Sequence, residues 1–216
     1  MTRTVYVFAL TGHAIPSFAL KRRRVEFLDL RGFHAAVERT SQAPPVSEPS
    51  LRTQHDIVTR LFNRIDAVVP ARFGALIDEH ELRDILEARR PAIQDALALV
   101  RGRVQMTVRF PETPESIPRT SRSVPSGLTG TAYLEARRIA SRTMPALAGV
   151  VATAVANLTI AERAEPQTER AGAVLYHLIA RGNVARYKDV VSSLNSAAVS
   201  VSGPWPPFAF APDLWP

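Results

Sequence analysis

A proline placed directly after a helical pattern is the feature that most constrains how this chain can fold. Within residues 55–74, HDIVTRLFNRIDAVVPARFG, apolar side chains recur at helical spacing, namely Ile57, Val58, Leu61, Ile65 and Val68. Because the residue before a proline is driven out of the α conformation, we predict that this helix ends by Val69 and that Pro70 begins a short strand reaching Gly74. An amphipathic helix that leads at once into a strand requires a domain with both helices and sheet.

The composition limits the size of the fold and the chemistry open to it. A chain of 216 residues, of which 46% are hydrophobic, suits one large domain or two of about 100 residues each. The sequence contains no cysteine, which excludes disulfides, a thiol nucleophile and cysteine-ligated zinc, and fits a reducing cytoplasm. The apolar run at residues 5–10 is too short for a signal peptide, and the uncharged run at residues 143–161 contains Pro145 and Asn157. We therefore predict a cytoplasmic protein with no membrane span.

The positive charge is spread along the chain. The net charge of +7 comes from 27 basic residues, nearly all of them arginine, against 20 acidic ones. One basic cluster stands out, Lys-Arg-Arg-Arg at residues 21–24, between two apolar segments. A cluster of this size is more often a solvated turn than a nucleic-acid patch, so we predict no specific nucleic-acid partner and keep the patch as the alternative.

Local sequence patterns predict the first strands and the loop before the amphipathic helix described above. Residues 5–10 are apolar on both faces, which predicts a central strand, and Arg31 with Gly32 predicts a hairpin. A proline-rich loop then leads to the helix, whose N-cap is either Ser47 or Ser50.

Two further helices complete an α+β domain over residues 1–102. Asp78 and Glu81 have the spacing of a capping box, in which each side chain satisfies free amides of the first turn. Pro91 either kinks the helix that follows or begins a second one, and Gly102 is a plausible stop.

The second half of the chain, residues 103–203, alternates strands and helices. Its elements are a half-buried strand at 103–110, an exposed loop at 111–126, a long helix beginning at 127–134, a buried strand at 174–179, a helix at 184–194 and a last strand at 199–201. This order is typical of a split βαβ or ferredoxin-like sheet in which one strand is missing or disguised.

No motif for catalysis, cofactor binding or metal binding is found. The five histidines, at positions 13, 34, 55, 80 and 177, form no His-x-x-x-His pair and no zinc hydrolase motif. His55 and Asp56 adjoin at the start of a helix, where neighbouring side chains point about 100° apart and cannot act as a base with its orienting carboxylate. The sequence also lacks nucleophile-elbow, dinucleotide-binding and phosphate-loop motifs, so we predict no enzyme, no cofactor and no metal site.

Two segments of this sequence resemble the gas vesicle protein family GvpL/GvpF. The first is the helix that opens on His55 and closes on a Val-Pro-Ala-Arg-Phe-Gly stretch, and the second is the closing Gly-Pro-Trp-Pro-Pro-Phe run, where the family usually has tyrosine in place of the last residue. A weaker third similarity is the glycine followed by Tyr-Leu in residues 127–134. The positions that carry the resemblance are His55, Pro70, Arg72, Phe73, Gly74, Tyr133, Gly203, Pro204, Trp205, Pro206, Pro207 and Phe208.

The resemblance implies a fold and a function. The fold would be an N-terminal α+β domain over residues 1–102, a modified ferredoxin-like domain over 103–203, and a C-terminal tail over 204–216 that packs between the domains. The function would be that of a gas vesicle accessory protein, which contacts the shell protein GvpA and other accessory proteins during assembly and stays associated with the vesicle. The alternative is a small-molecule-binding module or an enzyme on a ferredoxin-like sheet, because that fold hosts many functions.

Two motif residues leave alternatives open. Arg72 is either a surface arginine whose stem covers apolar neighbours, or the partner of Asp66 or Asp78 in a buried ion pair. The tail is either a ligand for a separate recognition domain or an ordered segment that packs on the chain itself. We favour the second reading of the tail, with Trp205 largely buried and Trp215 more exposed.

Overall fold

The computed structural model describes residues 4–110, 144–166, 172–194 and 199–212. By its internal contacts the chain divides into two compact units, Met1–Gln105 together with Pro204–Pro216, and Met106–Gly203. Helices and strands occur in both, so the predicted mixed α and β class is confirmed. The loop at 111–126, the helix start with Tyr133, and Trp215 lie outside the described residues.

The first unit is built around the predicted central strand. Its strands are β1 (Thr4–Thr11), β2 (Phe18–Leu20), β3 (Arg23–Asp29), β4 (His34–Arg39), β5 (Val68–Pro70) and β6 (Leu76–Asp78). The sheet has the order β2-β3-β4-β1-β5, and β6 also pairs with β1. Every residue of β1 after Thr4 is buried, as expected for a strand that is apolar on both faces.

Tight turns join the early strands. Lys21 and Arg22, between β2 and β3, have positive φ angles of 47° and 65°, and Arg31 and Gly32 have φ angles of 56° and 109° between β3 and β4. The predicted hairpin at Arg31 and Gly32 is therefore confirmed.

The basic cluster lies on the turn between β2 and β3 and on the start of β3. Lys21 forms an ion pair with Asp56, and Arg23 pairs with Glu38 at 2.8 Å. Arg24 lies 3.2 Å from a carboxylate of the neighbouring Glu26. The cluster is thus part of a network with carboxylates of the same unit.

Helix α1 (Glu48–Phe62) begins as predicted but ends earlier. Ser47 is the N-cap, and its hydroxyl accepts the amide of Ser50. The helix ends at Phe62, within the predicted limit of Val69, but Ile65 and Val68 of the predicted apolar face are not part of it. The prediction that Pro70 begins the strand is wrong, because Val68 already belongs to β5 and Pro70 ends it. Val68 and Val69 pair with Thr11 and Leu10 of β1, and this pairing requires extended backbone.

The two following helices are α2 (Glu79–Ala88) and α3 (Arg90–Val100). Asp78 caps α2 by accepting the amides of His80 at 2.9 Å and Glu81 at 3.4 Å. Pro91 lies in the first turn of α3, so the second of its two predicted roles is the one observed. Gly102 follows α3 with a φ of 67°, and its amide donates to the carbonyl of Asp66.

The second unit carries a four-stranded sheet. Its elements are β7 (Arg103–Arg109), α4 (Ala146–Val155), β8 (Thr159–Glu165), β9 (Val174–Ala180), α5 (Val184–Ser193) and β10 (Ser200–Trp205), and the strand order is β10-β7-β9-β8. Within the described ranges, no helix has both the length and the apolarity needed to cross a bilayer.

Two strands of this sheet differ from expectation. β7 was predicted to be half-buried, yet Gln105 and Thr107 on its polar face are only 5% and 2% exposed. β8 was not predicted as a strand, although it pairs with β9 along its length. It is an edge strand with mostly exposed side chains, so its sequence, TIAERAE, shows no apolar alternation.

Candidate functional site

A buried hydroxyl holds the predicted motif segment at residues 70–74. Tyr6 on β1 donates a hydrogen bond to the side-chain oxygen of Gln54 on α1 and accepts one from the amide of Gly74 at 3.1 Å. Gln54 in turn donates its amide to the carbonyl of Ala71 at 3.1 Å. The segment is therefore bonded on one side to the central strand and on the other to α1.

The electrostatics of Tyr6 suit this role. Burial raises the pKa of its hydroxyl, and the amide of Gly74 opposes this to a smaller extent. The hydroxyl therefore remains protonated at neutral pH and can donate to Gln54 while accepting from Gly74. Gly74 itself has a φ of 90°, which residues with a Cβ rarely adopt, and this explains the glycine at the end of the motif.

His55 brings the two halves of the family motif together. Its ring centroid lies 5.7 Å from that of Trp205, with the rings at 64°, and 6.3 Å from that of Phe208, with the rings at 18°. The first contact is edge-to-face and the second is stacked. The start of α1 and the closing segment, about 150 residues apart in the chain, therefore meet at one aromatic cluster.

Of the three aromatic residues of the tail that could pack on the chain itself, Trp205, Phe208 and Phe210, only Phe210 is buried. Pro206, Pro207 and Phe210 are buried, and the amide of Ala209 donates to the side-chain oxygen of Gln105 at 2.8 Å. Trp205 is 38% exposed, so the prediction that it is largely buried is wrong. The chain makes a 3₁₀ turn at Phe208–Phe210, which buries the second of these phenylalanines and leaves the first 38% exposed.

A shallow cleft adjoins the aromatic cluster. Its volume is about 250 Å³, and its lining consists of Pro70, Ala71, Arg72, Phe208, Ala211 and Pro212. Arg72, which lines this cleft, is exposed, so the buried ion pair considered for it is wrong. Of the two acids proposed as its partners, Asp66 lies 3.7 Å from His13 and 3.6 Å from Arg101, while Asp78 caps α2.

A second cleft adjoins the Tyr6 network. It has a volume of about 190 Å³, and its lining includes Tyr6 and Gln54 together with the charged residues Lys21, Arg23 and Glu38. The hydroxyl of Tyr6 and the amide of Gln54 are already engaged within the protein, and the charged residues are paired. This cleft therefore offers few free polar groups to a ligand.

A polar trio in the second unit, in which His177 and Tyr187 are buried and Glu162 is exposed, was missed by sequence analysis. The ring of His177 on β9 is fully buried and bonds to the hydroxyl of Tyr187 through Nδ1 and to a carboxylate oxygen of Glu162 through Nε2, the latter at 2.8 Å. Burial lowers the pKa of His177, and Glu162 partly opposes this. Burial also raises the pKa of Tyr187. The sequence did place His177 on a strand that is buried on both faces, which indicates a buried polar group in need of partners. The partner Glu162 could not be identified because it lies on β8, the strand that was not predicted.

The structure distributes the predicted motif residues in three groups. His55, Arg72, Trp205 and Phe208 share one surface. Pro206 and Pro207, which lie between Trp205 and Phe208 in the chain, are buried. Phe73 lies 6.4 Å from the ring of Tyr6, and Gly203 has a φ of 122° before the exposed Pro204. Across the described part of the chain, no three histidine or acidic side chains gather as metal ligands.

Comparisons with known proteins show the family and the fold of this chain. The family model described as gas vesicle synthesis protein GvpL/GvpF matches residues 4–212. The structure is similar to the gas vesicle protein GvpF from Anabaena sp. PCC7120, with a TM-score of 0.75 and 13% identity over 98% of this chain and 97% of that one. It is also similar to GvpF from Microcystis aeruginosa, with a TM-score of 0.74 and 12% identity over 97% of this chain and 99% of that one. Among curated protein sequences, none matches the chain significantly.

Proposed function

This chain belongs to the gas vesicle synthesis protein GvpL/GvpF family, and we propose from that membership that it is a non-enzymatic accessory protein of gas vesicle assembly. It acts through contacts with other gas vesicle proteins, including the shell protein GvpA, and remains associated with the vesicle. The observation that carries this proposal is the match of the family model to residues 4–212, nearly the whole chain.

The geometry of the motif residues supports a role in protein contacts. His55, Trp205 and Phe208 lie together on a surface, with two aromatic side chains substantially exposed. The two clefts described above, about 190 and 250 Å³, are smaller than most small-molecule sites, which occupy roughly 300 to 1,000 Å³. These features favour the assembly role over a small-molecule-binding module or an enzyme.

The domain arrangement is part of the proposal. We infer an N-terminal α+β domain over residues 1–102, a modified ferredoxin-like domain over residues 103–203 and a tail over residues 204–216. The strand order β10-β7-β9-β8, with β8 supplying the strand that the sequence disguised, supports the ferredoxin-like assignment. The grouping of Pro204–Pro216 with the first unit supports a tail that packs on the N-terminal domain.

Deletion of the gene tests the function. In a host that forms gas vesicles, the deletion strain should lose its vesicles or form misshapen ones, as seen by electron microscopy and by loss of buoyancy. Reintroducing the wild-type gene should restore them, whereas an empty vector should not. Normal vesicles in the deletion strain would contradict the proposal, and a change confined to one small-molecule conversion would favour the enzyme.

A further inference from the structure

The buried ring of His177 joins three elements of the second unit through one chain of hydrogen bonds. Its Nε2 atom bonds to a carboxylate oxygen of Glu162 on the edge strand β8 at 2.8 Å, and its Nδ1 atom bonds to the hydroxyl of Tyr187 on α5. His177 and Tyr187 are fully buried, whereas 41% of the Glu162 side chain is exposed. The chain of bonds therefore runs from the solvent-exposed edge at β8, through β9, to the buried face of α5.

The chemistry of the three groups fixes the direction of these hydrogen bonds. A carboxylate only accepts, so Nε2 carries the hydrogen that is donated to Glu162. In the neutral ring Nδ1 is then an acceptor, and the hydroxyl of Tyr187 donates to it. Burial raises the pKa of Tyr187, so this hydroxyl keeps its hydrogen. Both ring nitrogens and the hydroxyl hydrogen are thus satisfied while the ring is neutral.

Protonation of the ring acts differently on its two sides. The hydrogen added to Nδ1 points at the oxygen of Tyr187, so the hydroxyl can no longer donate to the ring and its own hydrogen loses its partner in a buried site. The bond to Glu162 becomes an ion pair and is strengthened. Acid should therefore weaken the link between β9 and α5 while it preserves the link between β9 and β8.

Within the described part of the chain, Glu162 is the charged group that acts on His177. The interior of β7 is uncharged, α4 contains no titratable residue, and the charged residues beside Tyr187 on α5 are exposed. Three further charged residues of β7 and β8 pair or interact with Tyr176, whose side chain lies on the opposite face of β9, namely Arg109, Arg163 and Glu165. The response to acid is therefore assigned to the trio itself.

We propose that this chain of hydrogen bonds is a pH-sensitive latch, which holds α5 against β9 while His177 is neutral and releases α5 when the ring takes up a proton. The release is local, because β8 stays bonded to the ring through Glu162. Burial lowers the pKa of His177 from its ordinary value of 6.5, so the latch is closed at neutral pH and opens as the pH falls below 6.5. The latch does not depend on the assembly function, and its failure would leave that proposal unchanged.

Nuclear magnetic resonance of the full chain between pH 7.5 and pH 4.5 tests the latch. The imidazole signals of His177 give the midpoint of its titration, and hydrogen exchange gives the protection of the backbone amides, corrected for the intrinsic effect of pH. A helix of 10 residues is marginal in water once it is detached. The amides of α5 should therefore lose protection at least about tenfold with the same midpoint as the ring, whereas those of β8 stay protected.

Two variants separate the two sides of the latch. Tyr187→Phe removes the bond to α5 at every pH, so the protection of α5 should be lower at pH 7.5 and should no longer follow the titration of His177. Glu162→Gln keeps an acceptor for Nε2 but removes the charge that favours the protonated ring, so the midpoint should fall by about 0.5 to 1 pH unit. The matched control is His80→Gln, an exposed histidine that lies 3.0 Å from Asp84 and should leave both readouts unchanged.

Several results would overturn the latch. One is a His177 ring that titrates while the protection of α5 stays constant, and another is a ring that takes up its proton only when the whole chain unfolds. A loss of protection in α5 that is the same in wild type and Tyr187→Phe would assign the response to another group. If Tyr187→Phe does not fold, Glu162→Gln decides, because its side chain lies at the surface: a midpoint that does not move would overturn the proposal.

Discussion

The hydroxyl of Tyr6 is a single group on which three chain segments depend. It joins β1 to α1 through Gln54 and to the motif segment through the amide of Gly74. Removing it leaves a buried amide oxygen and a backbone amide without their partner, and a buried group left unsatisfied costs about 1 to 3 kcal/mol.

Tyr6→Phe should therefore lower the free energy of unfolding by about 1 to 3 kcal/mol, as measured by urea denaturation. Tyr176→Phe is the matched control, because the Tyr176 hydroxyl bonds to Glu165 on an exposed edge, where water replaces the lost contact. Equal losses in the two variants would contradict the role assigned to Tyr6.

His177 makes stability depend on pH in the second unit. Because burial lowers its pKa in the folded state, the unfolded chain takes up the proton first, at a pKa near 6.5. The stabilisation is fully present above pH 6.5 and is lost as the pH falls from there toward the lower pKa of the folded state.

The unfolding temperature of the wild type should thus fall between pH 7.5 and pH 5.5 by more than that of His177→Gln, which cannot titrate at this position. The difference in unfolding free energy between the two proteins should change by no more than about 1.4 kcal/mol per pH unit, which is the limit for the uptake of one proton. Parallel pH profiles would show that the buried histidine has no such effect. Differential scanning calorimetry at both pH values gives the measurement.

The turn between β2 and β3 shows how an element can contain local strain. Lys21 and Arg22 both adopt positive φ, although the residues that favour such turns are asparagine, aspartate and glycine. Lys21 forms an ion pair with Asp56. Arg22 is exposed and has a φ of 65°.

Arg22→Gly should stabilise the protein by about 0.5 to 1 kcal/mol, because relief of the left-handed strain exceeds the added entropy of the unfolded chain. The control is Arg24→Gly on the neighbouring strand β3, where glycine should destabilise by a similar amount. A shift in the same direction for both variants, measured by thermal unfolding, would contradict this explanation.

The end of α1 shows how two elements can share one sequence pattern. Ile65 and Val68 have the spacing of a helix face, and both are buried, but neither belongs to the helix. Ile65 lies in the turn after it and Val68 pairs with β1. A buried turn and a buried strand need apolar residues as much as a helix does, so spacing alone could not separate them.

At the scale of the whole molecule, the tail is held to the first unit by a few buried side chains. Phe210 is 4% exposed, whereas Phe208 is 38% exposed. Phe210→Ala should cost about 3 to 5 kcal/mol, as is usual for a phenylalanine in a core. Phe208→Ala should lower the free energy of unfolding much less. Comparable losses of unfolding free energy in the two variants would contradict the assignment of Phe210 as an anchor of the tail.

Truncation after Ser202 removes all of these anchors together with the bond from Ala209 to Gln105. We expect the unfolding temperature to fall by roughly 10 °C, since a loss of 1 kcal/mol corresponds to about 2 to 4 °C in a protein of this size. The assay is thermal unfolding followed by circular dichroism. An unchanged melting curve would mean that the tail adds no stability and serves a partner alone.

Features that depend on neighbours along the chain could be predicted from the amino-acid sequence. The hairpin at Arg31 and Gly32, the cap at Asp78 and the central strand β1 were all predicted, because each rests on hydrogen bonds or periodicity within a few residues. The N-cap of α1 was predicted to be either Ser47 or Ser50, and the structure shows Ser47. The family motifs likewise identified His55 and the closing segment, but they did not show that the two meet.

Contacts between segments that are distant in the chain could not be predicted and became visible in the three-dimensional fold. The end of α1 depends on pairing with β1, the edge strand β8 exists because β9 lies beside it, and the partners of His177 come from two other elements. In the tail, a 3₁₀ turn buries Phe210 and leaves Phe208 partly exposed. Burial and pairing are properties of contacts between distant segments, and the free energy of those contacts outweighs local preferences of well under 1 kcal/mol per residue.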